Sequence, residues 1–123
     1  MIERVKLNFC SLEFYDRYVI AVMNEGVNVA KYQNESLIAI ITSFFKNNPF
    51  VYITHRLNSY SVDPNIYKRT SEIESLKGFA VVSKNYKAKV NAQIEKRFFL
   101  KPFEIFTSLE KAVEWANNLI TND

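Results

Sequence analysis

The chain's one histidine, His55, opens a polar run in which Arg56, Asn58, Ser59, Tyr60, Ser61 and Asp63 follow in close succession. Hydrolytic catalysis needs a nucleophile, a base and a group that orients the base, all within hydrogen-bond reach. The run holds residue types for such a set, yet no spacing in it singles out a nucleophile, so no catalytic residue is assigned. Two other chemistries suit it better. Arg56, together with backbone N–H groups at the start of a following helix, has the make-up of a site for a phosphate or a carboxylate. Equally, Asn58 and the serines are turn formers, Asp63 is a helix cap, and His55 or Arg56 can complete a structural hydrogen-bond network. The 55–63 run, with Lys84 as a further cation for an anionic head group, is the candidate interaction or anion-binding site.

Other chemistries lack their residues. Gly26 and Gly78 are isolated, so no glycine-rich loop stands ready to cradle a nucleotide. Cys10 is the only cysteine and lies far from His55 in sequence, which argues against a disulfide or a metal site of ordinary composition. No cofactor and no metal are expected. A lone cysteine also fits a reducing compartment, and the expected location is cytoplasmic. Lys84, Lys87, Lys89, Lys96, Arg97 and Lys101 gather around one segment in which Glu95 is the only acid. Such a segment reads first as a solvated helix face, and next as a contact for an acidic protein or an anionic surface. Nucleic acid is not expected, because the aromatics interleaved with these charges stand at core spacing rather than free to stack on bases.

The elements that position these residues follow from hydrophobic period. VKLNF, LEFY and YVIAVM read as three short strands broken at Cys10-Ser11 and Asp16-Arg17. After the turn Asn24-Glu25-Gly26, Leu37, Ile41 and Phe44 mark one face of a helix over 31–46, which Asn47-Asn48-Pro49 ends. FVYIT is an inner strand, and the 55–63 run lies at its carboxyl end, where open α/β sheets bind ligands. Asp63-Pro64 opens a second helix with Ile66, Thr70 and Ile73 inward. GFAVVS is the next strand. Tyr86, Val90, Ile94 and Phe98 recur every four residues and predict a third helix, terminated by Pro102. FEIF is the last strand, and Thr107 with Glu110 has capping-box spacing before a final helix that buries Leu109, Ala112, Val113, Ala116 and Ile120. Of each pair Phe44-Phe45 and Phe98-Phe99, one ring must sit at an edge.

The resulting order is β-β-β-α-β-α-β-α-β-α, an α/β fold in which helices cover a mixed sheet. This order, with the ending FEIFTSLEKAVEWANNLI, resembles the STAS domain of SpoIIAA-like proteins, in which a short strand leads into a helix bearing Ala and Trp where Ala112 and Trp115 stand after Glu110. The resemblance covers the whole chain and implies a STAS-like, non-catalytic module that regulates by binding. Anti-sigma antagonists of that kind carry a phosphorylatable serine in an Asp-Ser-Ser-Gly motif after a core strand. The matching stretch here, THRLNSYSVDP, places Ser59 and Ser61 in that neighbourhood but has neither the motif nor its glycine.

Length and composition fit the same picture. The 123 residues, 48% of them hydrophobic, with ten Phe and seven Tyr, are expected to form one domain over 1–123. Sixteen Lys and Arg against thirteen Asp and Glu leave a charge of only +3, which names no partner. The first twenty residues read as neither a signal nor a transit peptide, and no apolar run approaches the roughly 20 residues of a membrane span. The expected partner is another protein or a second copy of the chain, docking on the 55–63 loop and the adjoining helix starts. The alternative is a small anionic or lipid-like ligand.

Overall fold

The computed structural model describes residues 1–121. A six-stranded sheet runs in the order β1 (Glu3–Lys6), β2 (Cys10–Phe14), β3 (Tyr18–Met23), β5 (Phe50–His55), β7 (Leu76–Val82) and β8 (Phe103–Phe106). β1 to β3 form an antiparallel meander, and β3, β5, β7 and β8 are parallel to one another. The sheet is therefore mixed, as the element order requires. Four helices complete it: α1 (Lys31–Phe45), α2 (Asn65–Ser71), α3 (Tyr86–Glu95) and α4 (Leu109–Thr121).

Alternation along the inner strands divides the core in two. Val51 and Ile53 of β5, with Ala80 and Val82 of β7, face α4, where Ala112 and Ala116 pack against them. Tyr52 and Phe79 point the other way, into a layer shared with Leu37, Ile41 and Phe45 of α1 and Tyr67 of α2. α4 fits closely because Gly78 leaves room for it. A Cβ on Gly78 would stand 2.6 Å from Leu119 Cδ2 and 2.9 Å from Trp115 Cη2.

Several boundaries depart from the sequence reading. The first turn falls at 7–9 rather than at Cys10-Ser11, because Cys10 and Ser11 pair with Met23 and Val22 inside β2. Ser108, not Thr107, caps α4: its hydroxyl accepts from the Lys111 N–H at 3.4 Å, while Thr107 Oγ1 accepts from Lys89 Nζ. In α2 the deepest residue is Tyr67, which the period does not mark; Thr70 is buried as expected, and Ile66 and, past the helix end, Ile73 pack half-buried against the core. Phe45 rather than Phe44 is the buried ring at the end of α1, and Phe44 covers the edge, 4.3 Å from the Phe14 ring.

Two elements escape the pattern altogether. β4 (Asn28–Val29) and β6 (Ser61–Val62) pair in parallel as a separate two-stranded sheet. Two residues are too few to show a period.

The largest correction concerns α3. Its repeat of Tyr86, Val90, Ile94 and Phe98 does form a helix continued by a 3₁₀ turn over Lys96–Phe98, but all four side chains are exposed. The buried side of α3 is Ala92 and Glu95.

Candidate functional site

The 55–63 loop leaves the carboxyl end of β5, and the strand's alternation sends its first two residues to opposite faces. His55 pairs in register with Val82 on the α4 side. It is half-buried, and burial, aided by the positive charge of Lys84, lowers its pKa from the usual histidine value. Arg56 turns to the other face and goes inside, its side chain 6% exposed.

There the guanidinium meets Glu95, which α3 carries inward with a side chain 10% exposed. Arg56 Nη2 donates to Glu95 Oε1 in a short charged contact, and also reaches the Tyr67 hydroxyl at 3.4 Å. Tyr67 in turn donates to Glu95 Oε1 at 2.8 Å. The guanidinium also lies over the Tyr60 ring, 5.3 Å from its centroid. Arg56 Nε is buried without a hydrogen-bond partner. Burial first, then Glu95, pushes the Tyr67 hydroxyl well above the ordinary tyrosine pKa, so it stays a neutral donor. Arg56 thus joins β5, α2 and α3 internally, while its side chain also borders the groove beside the loop.

The rest of the loop is held in place by its own polar groups. Asn58 Nδ2 donates to the Met23 carbonyl at 2.9 Å, and the Ser59 N–H to Glu25 at 2.6 Å. Tyr60 and Thr54 share a hydrogen bond of 2.9 Å between hydroxyls. Ser61 Oγ donates to Asn28 Oδ1 at 2.9 Å, beside the β4–β6 ladder. Asp63 Oδ1 accepts from the Asn65 N–H at 3.0 Å, capping α2 from one residue further out than a standard N-cap. The roles of cap, turn former and network member anticipated for these residues are all present.

Two spaces border this loop. An open groove of about 260 Å³ separates it from the first turns of α3, lined by Leu57, Asn58 and Ser59 on one wall and Asn85, Lys87 and Asn91 on the other. Lys84 is exposed just before Asn85. Leu57 is 65% exposed. Beneath the loop, Tyr60 and Tyr67 help to line an apolar internal space of about 40 Å³ between the sheet and helices α1 and α2. That is room for water-sized molecules, well short of the roughly 300 Å³ or more that holds a typical small ligand. Cys10 is buried at the start of β2, and burial pushes its thiol up to about 12. Among the described residues no three His, Cys, Asp or Glu side chains converge to hold a metal ion.

Sequence reasoning missed Glu95, Tyr67 and Leu57. The signal for Glu95 was present, since it is the only acid in a cationic segment, yet its partner lies 39 residues away.

No family model matches the chain, and no curated protein matches its sequence. The fold does match a solved structure. The crystal structure of an uncharacterized protein of the DUF3478 family with a SpoIIAA-like fold, from Shewanella loihica PV-4, superposes with a TM-score of 0.59 at 11% identity, over 87% of this chain and 91% of that one. The chain has a SpoIIAA-like fold, as its element order and closing helix indicated.

Proposed function

We propose that this chain works as one STAS-like domain over 1–123, a non-catalytic regulatory module of the cytoplasm that acts by binding another protein. The docking site is the groove between the 55–63 loop and the start of α3. The observation that carries this is the division of labour within the loop. Arg56 and Tyr60 are anchored beneath the loop, and Asn58, Ser61 and Asp63 tie its backbone down, while exposed Leu57 and Ser59 stand on the groove wall opposite Asn85 and Lys87. A large apolar side chain held out to solvent on a rigid loop, ringed by amides and a cation, has the composition of a small contact patch. It also lies at the carboxyl ends of parallel strands β5 and β7. Lys84, exposed just before Asn85, adds positive charge beside the patch. Ser59, on the rim, is reachable by a modifying enzyme, whereas the Ser61 hydroxyl is engaged with Asn28.

The test replaces Leu57 with a photo-crosslinking residue in cells and asks what it captures. A discrete adduct with one polypeptide, lost in a Lys87→Glu background and absent when the crosslinker sits at exposed Tyr32 on α1, supports the proposal. Absence of any adduct at 57, or the same adducts from 32, removes the groove as a docking site.

A further inference from the structure

Nine large apolar residues stand exposed among the described residues, and six of them surround α3: Leu57, Tyr86, Val90, Ile94, Phe98 and Leu100. At about 100° per residue, Tyr86, Val90 and Ile94 form one ridge, and Ala92 and Glu95 lie on the opposite side, against the protein. The usual amphipathic arrangement is inverted. A helix that turns small and charged residues inward and a tyrosine, a valine and an isoleucine outward is shaped for something outside the fold.

The charges around the ridge narrow what that something is. From 84 to 101 the only acid is Glu95, and its carboxylate is buried against Arg56. Lys101 is also engaged, donating to the carbonyls of Ile73 and Leu76. Lys84, Lys87, Lys96 and Arg97 remain exposed beside the ridge, with Lys89 half-buried at its flank. The outer face of α3 is therefore apolar along its crest and positive on its flanks. A second copy of the chain would bring cationic flanks against cationic flanks, so self-association through this face is disfavoured. An apolar crest flanked by lysines and an arginine has the make-up of a helix that lies in the interface of an anionic bilayer.

We propose that α3 is a membrane-docking helix that lies in the interface of an anionic phospholipid bilayer. Val90, Ile94, Phe98 and Leu100 enter the upper acyl region, Tyr86 sits at head-group level, and Lys84, Lys87, Lys96 and Arg97 meet lipid phosphates. No helix among the described residues is long and apolar enough to cross a membrane, so the contact is peripheral. This inference rests on the outer crest of α3, Val90 and Ile94, and not on the wall facing Leu57, although Lys87 borders both.

The experiment is co-sedimentation of the full chain with vesicles of phosphatidylcholine alone and with roughly one third phosphatidylglycerol. The expected result is binding to the anionic vesicles at least about tenfold stronger than to the neutral ones, weakening as salt shortens the Debye length from ~10 Å to ~3 Å. The double variant Val90→Gln/Ile94→Gln keeps every charge and alters only exposed positions; it is expected to lose about tenfold in binding with an unchanged melting temperature. Lys96→Glu/Arg97→Glu, at exposed positions outside the groove, is expected to abolish the anionic preference, and Tyr32→Gln to leave binding intact. The proposal is overturned by failure to sediment with anionic vesicles, by equal binding to neutral ones, or by full binding of Val90→Gln/Ile94→Gln. Crosslinking of Val90 to a protein without vesicle binding would assign the crest to a polypeptide and equally overturn it.

Discussion

His55 and Arg56 are neighbours in the chain and point to opposite faces of the sheet, and that alternation decides what each can do. His55 stays half-buried at the rim, while Arg56 is drawn under the loop to Glu95, Tyr67 and Tyr60. Removing one member of a buried ion pair leaves the other charge without compensation and costs about 3–5 kcal/mol, more than any surface pair returns. Glu95→Ala is therefore expected to lower stability by about 3 kcal/mol or more in urea unfolding. Replacing both partners, Arg56→Met with Glu95→Leu, should recover most of that loss, because two apolar side chains fill the same volume without a desolvated charge. A Glu95→Ala cost below about 1 kcal/mol would show that the pair does not hold α3 to the sheet. The exposed Arg4–Glu13 contact on β1 and β2, by contrast, is of the kind that contributes little. From sequence, Arg56 was legible as a candidate for either a network or an anion site. What was missing was its partner, since an ion pair between a strand end and a helix 39 residues on leaves no local pattern.

At the scale of elements, period told which segments are helices and strands but not always which side of a helix is covered. α1 and α4 turn most of their apolar stripes inward, burying Leu37 and Ile41 in one and Ala112 and Ala116 in the other, with Leu109, Val113 and Ile120 half-buried beside them. In α3 the apolar repeat was equally regular, yet the sheet beneath it accepts only the small side of the helix, Ala92, beside the Glu95 carboxylate that Arg56 attracts. The period is the same whether the stripe faces in or out, so the sequence could not say that α3 is inverted. Gly78 shows the opposite case, in which one small residue in a strand fixes where a helix lies. Gly78→Ala would push a methyl group into Leu119 and Trp115 and is expected to destabilise by about 1–2 kcal/mol, an overpacking cost. Because the Leu119 contact is the tip of a flexible side chain, Leu119→Ala should cost less in the Gly78→Ala background than in the parent. Strict additivity in that double-mutant cycle would mean that α4 shifts bodily rather than yielding at Leu119.

For the molecule as a whole, these contrasts make stability uneven. β3, β5 and β7 are central and apolar on both faces, with Val19, Ala21, Val51, Ile53, Ala80 and Val81 fully buried. Among the described residues, α3 buries only Ala92 and Glu95, with the Phe99 ring following just after it. Elements with few buried apolar contacts open at lower free energy than the core they cover. Native-state hydrogen exchange should therefore show the amides of α3 opening well before those of β3, β5 and β7, with α4 retained alongside the strands. Glu95→Gln removes the charge of the latch while keeping its shape, so it should speed exchange in α3 by a larger factor than in the central strands. This pattern bears on both proposed contacts, since α3 supplies one wall of the groove and Tyr86, Val90 and Ile94 of the crest. An element that opens without unfolding the sheet can adjust to a partner or a bilayer at small cost to the fold. If α3 instead exchanges only with global unfolding, it is a fixed part of the core, and docking must then occur on a rigid face.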